Sequence, residues 1–262
     1  MHHGGYEPSA AELQVLQPLG AAQAAFEKND LAAVETALGA ARAAAVDDLH
    51  LRDRVASVEL AVLVERDDIE TAWQRMVERL KVFAKPGLID HGLHDEAIFL
   101  CEARNDRVCA VLEADEMLSA AERLDDPPTH MWLGTWWQRA HTLRAYAESL
   151  EGPTRASAIA YAERARADFS RLATETGQSL PSIQILTEQF ASLDGDCPTA
   201  LKAAHSTEWK SLDPQDAYVT VLALEKCGEV ENGQKLRQQI LANRELGLIQ
   251  AVYRYLVRTS SH

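Results

Sequence analysis

Three acidic turns in the first half of the chain carry side chains that could perform metal chemistry. Each turn pairs Asn or Asp with Asp, and the pairs are Asn29-Asp30, Asp67-Asp68 and Asn105-Asp106. Carboxylate and amide oxygens are the ligands that Mg²⁺ prefers in proteins. Glu113 follows the third turn by about two helical turns, which adds a further carboxylate on that side. Such a set of oxygens could serve a magnesium-dependent enzyme.

The spacing of these turns favours a structural interpretation. The second residue of each pair falls 38 positions after the last, and a period of this length is typical of a stacked helical hairpin. Copies of one such unit bury their faces against each other. We therefore expect the acidic pairs to be the corners of helical hairpins.

Two enzyme interpretations remain to be weighed. The second and third turns resemble the magnesium motifs of class I terpene cyclases, which are also all-helical, but Cys109 stands where a hydroxyl ligand is needed. His91 and His94, three positions apart beside carboxylates, suggest a divalent metal. Gly92 and the lack of a paired HExxH or ExxH motif favour a solvated helix start instead. We predict no enzyme, no catalytic residue, no metal site and no cofactor.

Composition predicts an all-α protein. Ala, Leu and Glu are abundant in the 262 residues, and the long Val/Ile/Thr alternations expected of strands are missing. The 26 Lys+Arg against 40 Asp+Glu give a net charge of −14, which repels nucleic-acid phosphates and anionic lipid. No apolar run approaches the length of a membrane span. We expect a cytoplasmic protein without nucleic-acid or membrane partners.

The cysteines support the same compartment. Cys101, Cys109, Cys197 and Cys227 include no CxxC pair and lie beside apolar residues in helices or turns. This pattern is typical of reduced cysteines that pack in a core. We therefore expect no disulfide framework.

Helix signals divide the chain into segments. Ser9 opens a capping box, so residues 1–8 are interpreted as a disordered N-terminus or tag and the first helix is predicted to begin after them. Residues 125–128, Asp-Asp-Pro-Pro, form the strongest break. We expect hairpin repeats over 9–126 and over 127–262. The two segments are predicted to form one continuous solenoid with a capping helix at its end. In the first segment the apolar spacing predicts helices over 31–45, 49–65, 69–83, 88–101 and 108–124.

These hairpins resemble tetratricopeptide repeats (TPR), whose unit is a helical hairpin of about 34 residues with a small residue at the turn and another early in the second helix. Residues 195–201, Gly-Asp-Cys-Pro-Thr-Ala-Leu, match that turn and helix start. Ser157, Ala158 and Ala165 match a second helix. The resemblance covers roughly residues 10–258 and implies antiparallel hairpins stacked in a right-handed superhelix.

In TPR arrays the first helix of each hairpin lines a concave groove in which extended peptides or partner helices bind. The register of the resemblance implies that the following residues lie on or near that groove: Gln23, Arg54, Ser57, Asp95, Phe99, Trp137, His141, Arg144, Gln189, Tyr218 and Lys226. The Lys/Asn clamp with which some TPR proteins hold a C-terminal carboxylate is absent from the matching positions. The resemblance implies a non-enzymatic scaffold that binds a protein or peptide.

A tryptophan cluster is the sharpest candidate within this groove. Trp132, Trp136 and Trp137 fall within about one and a half helical turns, and the first two share a face that we expect to pack between hairpins. Trp137 shares its face with His141 and Arg144, which suits a peptide-binding pocket, and core packing is the alternative. The predicted partner-binding residues are Trp137, His141, Arg144, Tyr218, Gln189, Arg54, Asp95 and Phe99.

The charge of the chain suggests a basic partner, attracted by carboxylates such as Glu65, Asp95 and Glu102. An inhibitor or immunity-type protein that blocks a basic partner is one alternative, and a small-molecule sensor or metal-dependent helical enzyme is another. The final helix, 247–258, is basic and apolar on much of its surface. We expect it to cap the array, and its apolar face offers a contact for a homo-oligomer.

Overall fold

The computed structural model describes residues 8–83, 88–177 and 180–260, so most of the predicted segment 1–8 lies outside it. Within the described residues the chain forms thirteen α-helices and no strand, which confirms the all-α prediction. Their bounds are α1 Ala10–Glu27, α2 Leu31–Ala44, α3 Leu49–Glu65, α4 Ile69–Phe83, α5 Leu88–Ala103, α6 Arg107–Glu122, α7 Thr129–Ala147, α8 Gly152–Glu175, α9 Leu180–Asp194, α10 Cys197–His205, α11 Pro214–Lys226, α12 Val230–Ala242 and α13 Leu248–Thr259. None of the helices in this part of the chain is long and apolar enough to cross a membrane.

Successive helices pair as antiparallel hairpins. The pairs are α1 with α2, α3 with α4, α5 with α6, α7 with α8, α9 with α10, and α11 with α12. Each hairpin also contacts the next one along the chain, so apolar faces that one hairpin leaves open are covered by its neighbour. The arrangement is compatible with a helical repeat fold.

The acidic turns are the corners of the first three hairpins. Asn29 adopts a left-handed φ of 57°, a conformation that Asn and Asp tolerate better than other non-glycine residues. The amide of Asp30 then donates to the carbonyl of Ala25 (3.0 Å), and its carboxylate accepts from the amide of Ala33 (3.0 Å). One side chain thus caps the second helix where the first helix closes.

The same corner recurs along the chain. Asp67 and Asn105 have φ of 60° and 54°, and the aspartate that follows each of them caps the next helix. Gly195 and Gly228 take the left-handed place in later corners, with φ of 81° and 88°. Glycine has no Cβ to oppose this conformation.

The cysteines are paired, so the expectation of reduced cysteines without disulfides is wrong. Cys101 of α5 is bonded to Cys109 of α6 across the corner at Asn105, and Cys197 of α10 is bonded to Cys227 at the end of α11. Their Cα atoms lie 5.6 and 5.3 Å apart. The search for CxxC motifs misses cysteines that are further apart in the sequence and meet only in the fold. Disulfides are rare in cytoplasmic proteins, so the pairing weighs slightly against the cytoplasmic prediction.

Helix α13 does not simply cap the end of the array. It returns to pack on α3, α5 and α11, the first helices of three hairpins, and on α12. Val252, Tyr253 and Val257 are at most 1% exposed within the core cluster that also contains Phe26 of α1. The apolar face of the final helix, for which we predicted a homo-oligomer contact, is therefore largely covered by the chain itself.

Arg254 fastens α13 in this position. Its Nε donates to Oε1 of Glu65 in α3 (2.7 Å), and its two terminal nitrogens donate to the carbonyls of Asn243 (2.6 Å) and Glu245 (2.9 Å). The guanidinium also lies 5.5 Å from the ring centroid of Phe26. The residue is 2% exposed, so these contacts replace nearly all of its hydration.

Replacing Arg254 with Met is expected to lower the free energy of unfolding by on the order of 3 kcal/mol, because two carbonyls and a carboxylate lose their buried donor. Arg258→Met is the matched control. Arg258 pairs with the same Glu65 (3.4 Å) and with Asp67 (3.1 Å), but it is exposed, and such pairs contribute about 1 kcal/mol or less. Urea unfolding followed by circular dichroism measures both. Equal losses for the two variants would contradict a special role for Arg254.

Candidate functional site

A layer of polar side chains lies where the first helices of the later hairpins face each other and α13. Positions three, four or seven apart share one face of a helix, so each helix contributes a short polar stripe. The layer consists of Asp95 and Glu102 of α5, Gln138 and His141 of α7, Glu188 and Gln189 of α9, Asp216 and Thr220 of α11, and Tyr253 of α13. Polar groups enclosed in this way must find partners within the protein or in a ligand.

His141 lies at the centre of this layer. Its Nε2 is 2.8 Å from Oε1 of Glu102, and its Nδ1 is 3.1 Å from Oε1 of Gln189. Both ring nitrogens thus lie within hydrogen-bond distance of side-chain oxygens on neighbouring hairpins. The imidazole is stacked on Trp137 with 5.0 Å between ring centroids. His141 therefore joins three of the hairpins through one side chain.

Glu102 connects His141 to the C-terminal helix. Its Oε2 accepts the phenolic proton of Tyr253 at 2.6 Å, while its Oε1 faces His141. Burial and the charge of Glu102 raise the pKa of Tyr253 well above its usual value, so the phenol stays a donor. The two oxygens of Glu102 thus contact α7 and α13, and both already have partners within the chain.

The larger cavity of the protein opens beside this group. It has a volume of about 640 Å³ and lies between α5, α6, α7, α9, α11 and the end of α13. Val219, Leu222 and Leu256 supply apolar wall, and Leu222 is 45% exposed. The charged and amide-bearing residues of the lining, together with its histidine, are Glu102, Arg104, Asn105, Arg107, His141, Gln189 and Lys226. Volume and lining are those of a binding site for a small molecule or a short segment of chain.

A smaller cavity of about 360 Å³ lies around Trp137 and Asp95. Gln138 connects its polar groups: its Nε2 donates to Oδ1 of Asp95 (2.9 Å) and to Oε1 of Gln215 (3.2 Å). Phe99 and Phe169 line the same space. The cavity thus combines carboxylates and aromatic rings in one volume that opens to solvent.

The sequence-predicted site residues lie in different places in the structure. His141, Gln189 and Tyr218 line the larger cavity. Asp95, Phe99 and Trp137 line the smaller one. Arg54 is exposed on α3 and lines neither cavity.

Arg144 has a different environment from the one that a binding residue needs. Its side chain is 0% exposed, and its terminal nitrogens donate to Oε1 of Glu148 and Oδ1 of Asp194, both at 2.6 Å. The guanidinium also lies over the ring of Phe190. A residue held in this way joins α7 to α9 and has no surface left for a partner.

The two histidines considered as metal ligands form hydrogen bonds between helices. His91 Nε2 is 2.9 Å from Oγ1 of Thr135, and His94 Nδ1 is 2.7 Å from Oε2 of Glu113. Burial lowers the pKa of His91 to about 4, so that ring is neutral near pH 7. Across residues 8–83, 88–177 and 180–260 no group of three or more His, Cys, Asp or Glu is placed to hold a metal ion.

Two carboxylates that the sequence reasoning missed are among the most buried. Glu188 is 0% exposed; its Oε2 accepts from Oγ1 of Thr220 at 3.3 Å, and its Oε1 has no partner in the described chain. Asp216 is 8% exposed. A signal was present, because Glu188 lies three residues after Ile185 and belongs to the apolar stripe of α9. A polar residue within the apolar stripe of a helix therefore predicts a buried polar side chain.

Burial changes the acidity of this interior. It raises the pKa of Glu188 to about 8 and the pKa of Asp216 to about 7, with the charge of a neighbouring aspartate as a second cause in each case. It also raises the pKa of Asp95 to about 7, against the hydrogen bond from Gln138. These carboxylates therefore exchange protons near neutral pH.

No protein-family model matches the chain, and the searches of curated proteins and of solved structures found no match to it. The site must therefore be interpreted from its own geometry.

Replacing Glu188 with Gln is expected to stabilise the protein at high pH. The folded pKa of about 8 exceeds the unfolded value of about 4.3, so the folded state binds more protons in between. The stability of the natural protein therefore falls as pH rises through that window. Gln stays neutral, so the advantage of the variant over the natural protein should be small at pH 5 and should grow by about 4 kcal/mol by pH 8.5.

Urea unfolding at both pH values measures this difference. Exposed Glu116 of α6 provides the control, because Glu116→Gln should leave the pH dependence unchanged. A variant at Glu188 that loses stability equally at both pH values would show that the carboxylate makes a favourable charged interaction.

Proposed function

We propose that this chain is a non-enzymatic scaffold that binds a peptide or protein segment in the larger cavity. The proposal is carried by one observation: an opening of about 640 Å³ remains between the first helices of the later hairpins after α13 has docked. Pockets of this size with an apolar wall and a few convergent polar groups are the usual binding sites of proteins.

The proposed architecture is a TPR-like right-handed superhelix. Its support is the repetition of one corner, in which a left-handed residue is followed by the residue that starts the next helix, at Asn29, Asp67, Asn105, Gly195 and Gly228. The spacing of these corners is 38 residues at first and 33 at the end of the array. In such an array the first helices line the concave side, and the larger cavity lies among them.

The chemistry of the cavity suits a peptide. Leu222 offers an exposed apolar contact, and Val219 and Leu256 extend it. Neither the amide group of Asn105 nor the ammonium of Lys226 forms a side-chain hydrogen bond or ion pair with the described residues. Free groups at the rim of an apolar surface can bind the backbone and the charged side chains of a partner.

Charge around the rim favours an acidic group on the peptide. Two carboxylates that could attract a basic partner are already engaged, Glu65 by Arg254 and Glu102 by His141 and Tyr253. Lys226 at the rim carries an unpaired positive charge within the described chain. We therefore propose a partner segment with an apolar side chain for Leu222 and a carboxylate for Lys226.

Panning of a random peptide display library against the purified chain tests this proposal. Peptides enriched on the natural protein should bind Leu222→Asp and Lys226→Glu at least tenfold more weakly. A tenfold loss of affinity corresponds to about 1.4 kcal/mol, which the loss of one central contact can cause. Fluorescence polarisation with the enriched peptides gives the Kd values.

Matched controls exist on other helices. Leu112 of α6 is 59% exposed and Lys202 of α10 is exposed, and neither lines the cavity. Leu112→Asp and Lys202→Glu should keep the affinity. Failure to enrich peptides, or equal losses in both sets of variants, would reject the cavity as a peptide site. The inhibitor and small-molecule alternatives stay predictions.

A further inference from the structure

The smaller cavity has an acidic lining with no lysine or arginine among its described residues. Asp95 of α5, Asp213 just before α11 and Asp216 within α11 line it. His130, at the start of α7, is exposed. Carboxylates that lie close together in one cavity repel each other, and a positive charge placed between them relieves this repulsion. We name this space the acidic cavity.

Only some of the three aspartates have a structural role. Asp213 is the N-cap of α11, and its Oδ1 accepts the amide of Asp216 at 2.8 Å. Asp95 accepts from Gln138. Asp216 is 8% exposed, lines the cavity and accepts no hydrogen bond at its carboxylate from any described residue. A buried carboxylate in this condition lacks a donor that a ligand can supply.

Aromatic rings and aliphatic side chains form the rest of the wall. Phe99, Trp137 and Phe169 line the cavity together with Leu133 and Ile249. Ring faces attract cations, most strongly organic cations that carry little bound water. The buried indole nitrogen of Trp137 also has no hydrogen-bond partner among the described residues. The wall therefore suits a ligand with an apolar body and a charged end.

A metal ion fits the cavity less well than an organic cation. Carboxylates that chelate a divalent ion must approach one another closely enough to share it. The three aspartates do not form such a group, since the described residues contain no set of His, Cys, Asp or Glu placed to hold a metal. An ammonium or guanidinium group can instead bind separate carboxylates through separate N–H donors.

We propose that the acidic cavity binds the ammonium or guanidinium group of a ligand, with Asp216 and Asp95 as acceptors and the aromatic rings around its apolar stem. The cationic group can belong to a lysine or arginine side chain of a peptide or to a free aliphatic diamine. This site is separate from the larger cavity and does not depend on the function proposed there.

Proton release provides a second sign of such binding. The raised pKa values of Asp95 and Asp216, both about 7, leave each carboxyl partly protonated at pH 7. A bound cation lowers these pKa values, so binding releases up to about one proton in all. The titratable groups around the cavity are Asp95, Glu96 and Glu102 of α5, His130 and His141 of α7, Glu188 of α9, and Asp213 and Asp216 at α11.

Isothermal titration calorimetry on the full chain at pH 7 tests the proposal. The probes are blocked lysine and arginine (N-acetyl, N′-methylamide), 1,4-diaminobutane, and blocked norleucine as the uncharged analogue of lysine. At least one cationic probe should bind tenfold or more tightly than norleucine. Titrations in two buffers with different ionisation enthalpies should show protons released to the buffer. Whether amino acid or diamine binds more tightly distinguishes the two sources of the cation.

Asp216→Asn should weaken that binding at least tenfold and reduce the proton release, and Asp95→Asn is the second variant. Asn has the shape of a protonated Asp, so folding should survive, which circular dichroism checks. Asp47→Asn, at an exposed aspartate between α2 and α3, should change nothing. Norleucine binding as tightly as lysine, unchanged affinity in both cavity variants, or binding of MgCl₂ in place of the organic probes would overturn the proposal.

Discussion

The buried ion pair between Arg254 and Glu65 holds the end of the chain against its beginning. A guanidinium that is 2% exposed needs acceptors within the protein, and here a carboxylate of α3 and two carbonyls of the α12–α13 connection accept from its three nitrogens. The planar group fixes the direction of each donor, so α3, the connection and α13 must adopt their places together. Tyr253, one residue earlier, is thereby directed to Glu102.

This docking also creates the larger cavity. Tyr255 and Leu256 of α13 form part of its wall. The hydrogen bonds between Tyr253 and Glu102, between His141 and Glu102 and between His141 and Gln189 run along its inner side. Glu102 has two partners, His141 and Tyr253, so a displaced α13 would leave one oxygen of this carboxylate without its donor. The cavity therefore exists as a defined shape only while the C-terminal helix is docked.

Local features of the fold could be predicted from the sequence. The helices expected over 49–65 and 69–83 are α3 and α4 with the same bounds, because caps and apolar spacing act within a few residues. The return of α13 could not be predicted, since Glu65 and Arg254 are separated by 189 positions and no short-range pattern connects them. The disulfides were missed because no CxxC motif marks them: Cys101 and Cys109 meet across one corner, whereas Cys197 and Cys227 are 30 positions apart on different hairpins.

Less of the candidate site could be predicted. The register of the resemblance put Asp95, Trp137 and His141 on one groove, whereas in the structure Asp95 and Trp137 line the smaller cavity and His141 lines the larger one; spacing fixes only the helix face on which a residue lies. Which of them are enclosed depended on neighbours, and Arg144 is fully buried while Arg54 is exposed. Register places a residue on a face, but burial is decided by what packs against that face.

The acidic interior differs most from what the net charge of −14 suggests. Solubility requires carboxylates on the surface, yet Glu188 and Asp216 lie inside, where burial raises the pKa values to about 8 and about 7. Ionised carboxylates in that position lower the stability of the fold. A scaffold that needed only a rigid core would be more stable with apolar residues there. Of the two, Asp216 lines the acidic cavity, where the proposed cationic ligand would offset this loss, whereas Glu188 lines neither cavity and, among the described residues, is hydrogen-bonded only to Thr220 of α11.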